Sequence, residues 1–222
     1  MRKIRCGSLL ISLLFTAASC HHDDDLSSGE QAAADQKAIQ NYMGTHTYFF
    51  GRIRKIGDTT AGGEVPDEPF LKSDNTEKLP AGIWIWTKPN RERKGDKPAA
   101  TASILIHYEG IWVKENNSLL IPNTKNKTGK IIPGGTLNNG TGRPIRIDLK
   151  DQAEPWWAEV MPHYRATDRS PEAPYEVQGV AFIPSKSGFG HRFIANMPQH
   201  AILVYEFEIY KVVKDDESGE SR

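Results

Sequence analysis

The last third of the chain alternates apolar and polar side chains, a pattern typical of β-strands with one buried face. The clearest strand is predicted over residues 201–212. Its inward face is expected to carry Leu203, Tyr205, Phe207 and Ile209. Glu206 and Glu208 occupy intervening positions, so they are expected to face solvent.

Earlier segments predict further strands over residues 83–86, 103–112, 143–149 and 177–184. In the second of these, Tyr108 is expected on the inner face and His107 on the surface of the sheet. A short helix is predicted over residues 155–161, because Pro155 suits a first helical turn and Trp156 and Val160 then share a face. The pattern predicts an α+β fold: an antiparallel twisted sheet wrapped over one short helix.

Residues 33–81 are predicted to form an N-terminal extension that begins with a helix. The helix is expected over residues 33–43, because Ile39, Tyr42 and Met43 share one face and Gly44 can end it. A short β-like run over residues 47–50 and a loop over residues 57–80 follow. Trp84 and Trp86 are expected to anchor the sheet to this extension. The alternative is an exposed aromatic platform for a glycan.

The first twenty residues indicate export. Arg2, Lys3 and Arg5 precede an apolar run over residues 9–15, and three small residues then precede Cys20, which resembles a bacterial lipobox. The run is too short for a transmembrane helix, which needs about 20 apolar residues. We therefore expect a signal peptide over residues 1–19, a tether over residues 20–32, and membrane attachment through lipid on Cys20. An ordinary secretory signal with an incidental cysteine is the alternative.

The expected location is the cell envelope of a Gram-negative bacterium, with the lipid anchor in the outer membrane and the protein at its periplasmic face or on the cell surface. His21, His22 and the three aspartates that follow favour a solvated tether over a metal site, since consecutive residues do not converge on one ion. Acidic residues directly after a lipidated cysteine also resemble the surface-export signals of some lipoproteins.

The charge and cysteine content of the mature chain argue against a nucleic-acid partner and against a disulfide framework. The chain has 28 Lys and Arg and 28 Asp and Glu, so loss of three basic residues with the signal leaves 28 − 3 = 25 against 28, a net charge of −3. No basic patch is interleaved with aromatics, and no nucleic-acid partner is predicted. Cys6 and Cys20 are the two cysteines, so the mature chain keeps none for a disulfide. No metal or cofactor is predicted. Residues 214–222 are predicted to form a charged tail.

Five segments resemble, in order, motifs of the FKBP-type peptidyl-prolyl isomerase domain. They are Ile106-His107-Tyr108-Glu109-Gly110, the strand entry over residues 142–147, Trp156, the turn over residues 183–190, and the closing strand over residues 197–209. The closing strand is the most specific, with Pro198, Ala201 and Leu203 at the family's positions. The resemblance spans residues 82–213, and residues 21–81 have no counterpart in it.

The resemblance implies cis–trans isomerisation of X-Pro bonds in proline-containing segments of exported polypeptides. The implied catalytic residues are Tyr108, Trp156, Phe189 and Tyr205, and the implied pocket-lining residues are Ile145 and Met197. The barrier to rotation is about 18–20 kcal/mol and comes from amide resonance. An apolar pocket that favours the twisted amide can lower it without a nucleophile, metal or cofactor.

The chain departs from the family pattern after the first long strand. Residues 114–141 replace the segment that carries the family's Phe-Asp pair, and Leu120 and Ile121 stand nearest to that pair. Two interpretations therefore stay open: an active isomerase, and a binding module that keeps the cleft without turnover. A weaker third is an accessory lipoprotein that binds an extracellular nutrient. Tyr108, Trp156 and Tyr205 are also explained as ordinary core residues.

Overall fold

The computed structural model describes residues 27–49, 51–59, 63, 65, 67–89, 93–113, 144–152, 154–190, 192, 197 and 199–214. The predicted signal peptide, the predicted lipidation site Cys20, the segment 114–141 and most of the charged tail lie outside the described residues. None of the helices in the described ranges is long and apolar enough to cross a membrane.

The described chain forms a six-stranded antiparallel sheet, a separate two-stranded hairpin and two α-helices. In chain order the elements are α1 (Ser28–Thr45), β1 (His46–Phe49), β2 (Arg52–Lys55), β3 (Thr76–Lys78), β4 (Trp84–Thr87), β5 (Ser103–Val113), β6 (Ile145–Asp148), α2 (Trp156–Val160), β7 (Gly179–Ile183) and β8 (Ile202–Val213). The large sheet has the order β3-β4-β7-β8-β5-β6, and β1 pairs with β2. The predicted α+β fold with an N-terminal helix is confirmed.

One face of the sheet packs on α2. Leu203, Tyr205, Phe207 and Ile209 of β8 all lie in this core, as predicted, together with Trp156 and Val160 of α2. Leu149 is buried here as well, and Ile145 and Ile147 pack against the core from the edge strand β6. The alternation in the sequence therefore predicted the inner face of both β6 and β8 correctly.

The other face of the sheet is covered too, which the sequence did not predict. Ile39, Tyr42 and Met43 of α1 are buried with Ile202 and Val204 of β8 in a second core. The predictions for the polar residues on this face were wrong, because α1, the hairpin and a later loop exclude solvent. Glu208 is fully buried, and His107 is 5% exposed and stacks on Tyr175 with ring centroids 3.8 Å apart.

The helix α1 is longer than predicted. It begins at Ser28 and ends at Thr45, so residues 28–32, assigned to the tether, form its first turns. Ser27 caps it: the Ser27 hydroxyl accepts from the Glu30 N–H at 3.4 Å, and the Glu30 carboxylate accepts from the Ser27 N–H at 3.0 Å. This capping box supplies partners for N–H groups that a helix start leaves unpaired.

The extension is part of the sheet rather than an appendage to it. Residues 76–78, predicted as loop, form the edge strand β3 beside β4. Trp84 donates from Nε1 to the side-chain oxygen of Gln36 in α1 at 3.1 Å, and the Trp86 ring packs on Phe70 at 5.3 Å. The interpretation of the two tryptophans as anchors is therefore confirmed.

A buried ion pair fixes the long segment between α2 and β7. Glu208 of β8 accepts from the Arg169 guanidinium at 3.0 and 3.3 Å, from the Thr167 hydroxyl at 3.1 Å, and from the Glu176 N–H at 2.9 Å. A buried carboxylate is tolerated only when its charge and its lone pairs have partners. These bonds hold the chain around residues 167–176 against the sheet.

Candidate functional site

Four aromatic side chains meet between α2 and the sheet, and we call them the aromatic cluster: Tyr108, Trp156, Trp157 and Tyr205. The helix α2 follows Pro155, whose φ of −63° and ψ of −19° are already helical. Two consecutive tryptophans therefore enter the first turn of α2, where both are buried against the sheet. Tyr108 comes from β5 and Tyr205 from the neighbouring strand β8.

The rings of the aromatic cluster are in direct contact. The Trp156 ring stacks on Trp157 with centroids 3.9 Å apart and on Tyr205 at 4.7 Å. Tyr108 meets Trp157 edge-on at 4.9 Å and Tyr205 edge-on at 5.8 Å. Stacked and edge-to-face pairs at these distances contribute about 0.5–1.5 kcal/mol each beyond their burial. The structure thus brings together three of the four residues predicted as catalytic.

Gly110 makes room for the Tyr205 ring. The two residues face each other across β5 and β8, and a Cβ atom at Gly110 would lie 2.5 Å from Cε1 of Tyr205. Only glycine allows the ring to lie this close to the β5 backbone. The Gly110 in the family-like run of residues 106–110 therefore has a local structural reason: it sets the position of Tyr205 in the aromatic cluster.

Trp156, the expected floor of the pocket, is fully buried. Its Nε1 atom is also buried and has no hydrogen-bond partner in the described part of the chain. Trp157, which the sequence analysis did not select, packs against it and is 4% exposed. The only sequence signal for Trp157 was its position next to Trp156.

Tyr108 carries the accessible polar group of the aromatic cluster. Its side chain is partly exposed, and its hydroxyl makes no hydrogen bond to any residue that the structure describes. Burial raises the pKa of the Tyr108 hydroxyl above 10, and the negative charge of Glu154 raises it further. The group is therefore a neutral O–H at neutral pH and can donate a hydrogen bond to a carbonyl oxygen.

The other predicted site residues lie in the same core without direct ring contact to Tyr108. Phe189 is 3% exposed and Met197 is 6% exposed, and both belong to the core that contains Trp156 and Tyr205. Ile145 is partly buried and packs against that core from β6. Their role in a pocket stays a prediction.

An ion pair that the sequence analysis missed lies beside the aromatic cluster. The Arg192 guanidinium donates to the Glu154 carboxylate at 3.0 Å and lies 4.9 Å from the centroid of the Phe189 ring. Burial, and after it the Glu154 charge, raises the pKa of both Tyr108 and Tyr205. No pattern in the sequence pairs these two residues, which lie on separate loops. Within the described ranges, no group of three or more His, Cys, Asp or Glu side chains could hold a metal ion.

Comparisons with known proteins give similarities in structure but not in sequence. No family model matches the chain, and no curated protein matches it. A peptidyl-prolyl cis-trans isomerase from Pseudomonas syringae pv. tomato is similar in structure over 86% of this chain and 98% of that chain, with 14% identity and a TM-score of 0.47. FkpA from Escherichia coli is similar over 64% of this chain and 54% of that chain, with 17% identity and a TM-score of 0.44.

The N-terminal domain of FKBP42 from Arabidopsis thaliana is similar over 68% of this chain and all of that domain, with 18% identity and a TM-score of 0.42. These structures include FKBP-type proteins, the family that the sequence motifs resemble. Because the identities are below 20% and the TM-scores are below 0.5, we base the function on the contacts of this chain's own side chains.

Proposed function

We propose that the chain is an FKBP-like peptidyl-prolyl cis–trans isomerase that acts on proline-containing segments of exported polypeptides. One observation carries the proposal: a partly exposed Tyr108 hydroxyl, free of hydrogen bonds in the described structure, lies at the edge of an otherwise buried aromatic cluster. The Tyr108 ring at that edge offers apolar surface against which a proline ring can pack. The hydroxyl offers one donor for a carbonyl oxygen.

The chemistry requires only that the site stabilise the twisted amide more than it stabilises the planar one, which lowers the barrier to rotation. Rotation about an X-Pro bond takes tens to hundreds of seconds without a catalyst. Apolar side chains around the bond remove water from the carbonyl oxygen, which weakens the charge separation that keeps the amide planar. Tyr108 then donates to a neighbouring carbonyl oxygen of the peptide, outside the rotating amide, and so holds the segment in place while the bond turns. No covalent intermediate forms and no proton is transferred.

A second candidate is a binding module that holds proline segments without turning them over. The burial of Trp156 favours it, because Trp157 covers the face of the Trp156 ring on which a proline ring would have to pack. On this alternative the chain binds a partner through the partly exposed edge at Tyr108, and Trp156 serves the core alone.

Exchange spectroscopy by NMR separates the two candidates. A short prolyl peptide is mixed with the soluble form starting at His21, first at a catalytic ratio and then at an equal ratio. An isomerase produces cis–trans exchange peaks at the catalytic ratio, and a Tyr108→Phe/Trp156→Phe variant, which keeps an aromatic ring at both positions, loses them. A binding module shifts peptide signals at the equal ratio without exchange. Neither exchange nor shifts, from protein with a native spectrum, would contradict both candidates.

The membrane anchor is a separate part of the proposal. We propose that Cys20 carries lipid and holds the protein at the outer membrane of the cell envelope, because several acyl chains on one cysteine give firm membrane attachment. A Cys20→Ser variant is expected to leave the membrane fraction, with loss of labelling by a radioactive fatty acid. Retention of Cys20→Ser in washed membranes would contradict the anchor. Protease treatment of intact cells then distinguishes the cell surface, where the protein is degraded, from the periplasmic face.

A further inference from the structure

The turn that follows β7 carries Phe189 into the core beside the aromatic cluster. A short 3₁₀-helix over Ser185–Ser187 opens this turn. The Ser185 carbonyl then accepts from the Gly188 N–H at 3.1 Å and from the Gly190 N–H at 2.8 Å. Gly190 has φ of +57°, a conformation that favours glycine, so the backbone reverses sharply just after Phe189. The position of Phe189 therefore depends on how Ser185 is held.

Ser185 is held by α1, from 150 residues earlier in the chain. The Asp35 carboxylate accepts through Oδ2 from the Ser185 N–H at 2.7 Å and from the Ser185 hydroxyl at 2.7 Å. Its other oxygen accepts from the Gln31 side chain at 2.7 Å. Asp35 is 3% exposed and Ser185 is 1% exposed. Hydrogen bonds to a carboxylate are stronger than neutral ones, and here they are shielded from water.

The next residue of α1 makes a different contact and provides a matched control. Gln36 donates from Nε2 to the Gly82 carbonyl at 2.7 Å and accepts from Trp84 Nε1 at 3.1 Å. These bonds hold the start of β4, which pairs with the end of β7. Both residues thus fasten α1 to one end of the sheet, but only Asp35 contacts the turn that carries Phe189.

We propose that Asp35 is a positioning residue for the candidate site. It fixes Ser185, which fixes the turn and so places Phe189, and beyond it Arg192, against the aromatic cluster. The N-terminal helix, which lies outside the segment that resembles the FKBP domain, is on this proposal part of the working site. The expected loss of catalysis rests on the proposed function. The expected loss of order in the turn rests on geometry alone.

The test compares Asp35→Ala, Asp35→Asn and Gln36→Ala in the full chain, purified in detergent. Hydrogen exchange of the amides over residues 185–190 reports the turn directly. We expect faster exchange there in Asp35→Ala, partial protection in Asp35→Asn because one oxygen acceptor remains, and wild-type exchange in Gln36→Ala. For the prolyl peptide, we expect kcat/KM of Asp35→Ala to fall by about tenfold or more, since a displacement of about 1 Å can cost about 100-fold. Gln36→Ala should keep the wild-type kcat and KM.

Each outcome decides the proposal. Wild-type exchange in the turn of folded Asp35→Ala would overturn it, and so would faster exchange with unchanged kcat, KM and peptide affinity. If Asp35→Ala does not fold, Asp35→Asn carries the same comparison against Gln36→Ala. If the wild-type protein neither isomerises nor binds the peptide, the proposed function fails, and the exchange data still decide whether Asp35 places the Phe189 turn.

Discussion

Glu206 is the group whose titration should change the stability of this protein most clearly. It lies on the face of β8 that α1 and the hairpin cover, and its carboxylate accepts from the Ile53 N–H of β2 at 3.0 Å. Glu109 of β5 stands directly opposite in the strand register. Like charges at directly opposed positions are unfavourable. Burial first, and then the negative charge of Glu109, raise the pKa of Glu206 from the ordinary 4.5 to about 7, while the Ile53 N–H and Arg52 act against this.

The direction of the effect follows from proton binding. Between pH 4.5 and 7 the folded protein holds a proton on Glu206 that the unfolded chain has released, so folding stability falls as the pH rises through this range. The difference between about 7 and 4.5, at about 1.4 kcal/mol for each pH unit, sets the loss at about 3 kcal/mol above pH 7. Below pH 4.5 the carboxyl is neutral in both states and the loss disappears.

The substitution Glu206→Gln removes the titration and keeps an oxygen that can accept from the Ile53 N–H. We expect the variant to exceed the wild type in free energy of unfolding by up to about 3 kcal/mol at pH 8, and by little at pH 4. Urea unfolding at pH 4, 5, 6, 7 and 8 measures the difference in free energy of unfolding between the two proteins. The other titrating groups are common to both proteins and cancel in this difference. A difference that does not change with pH would refute the reasoning. Glu109→Gln should show a smaller gain in the same pH range.

Three further substitutions test the packing described above. Gly110→Ala should lower the free energy of unfolding by about 1–3 kcal/mol and the Tm with it, because its Cβ would lie 2.5 Å from the Tyr205 ring; an unchanged Tm would contradict the close contact. Arg169→Met should cost about 3–5 kcal/mol in urea unfolding, because Glu208 stays buried without its cation, and adding Glu208→Gln should recover part of this. Tyr175→Phe should leave the Tm unchanged or raise it, because the Tyr175 hydroxyl is buried without a hydrogen bond in the described structure.

Periodicity in the sequence predicted one face of the sheet well and the other face poorly. From Tyr205 to Ile209 the apolar residues of β8 alternate with glutamates, so the inner face could be derived from this stretch alone. The opposite face carries Glu206 and Glu208, and polar residues on a strand ordinarily indicate solvent. Here the β1–β2 hairpin supplies the partner of Glu206 and the segment around Arg169 supplies the partners of Glu208, a tertiary effect that no local pattern contains.

The candidate site could likewise be predicted only in part. Tyr108, Trp156 and Tyr205 stand in motifs with fixed spacing, and the structure places their rings together. Trp157 was missed because it belongs to no motif, although it stacks on Trp156. The contacts of Glu154 with Arg192 and of Asp35 with Ser185 join residues 38 and 150 positions apart, which only the folded chain brings together.

The most direct test of the account compares the loss of one tyrosine hydroxyl on either face of the sheet. Tyr108→Phe and Tyr175→Phe are the same chemical change, one in the aromatic cluster and the other against His107 on the opposite face. The assay is the rate of cis–trans exchange of a prolyl peptide by the soluble form starting at His21. We predict that Tyr108→Phe lowers kcat/KM about two- to tenfold, the effect of one lost hydrogen bond, and that Tyr175→Phe leaves it unchanged. Equal rates for all three proteins, or no acceleration by the wild type, would contradict catalysis in the aromatic cluster.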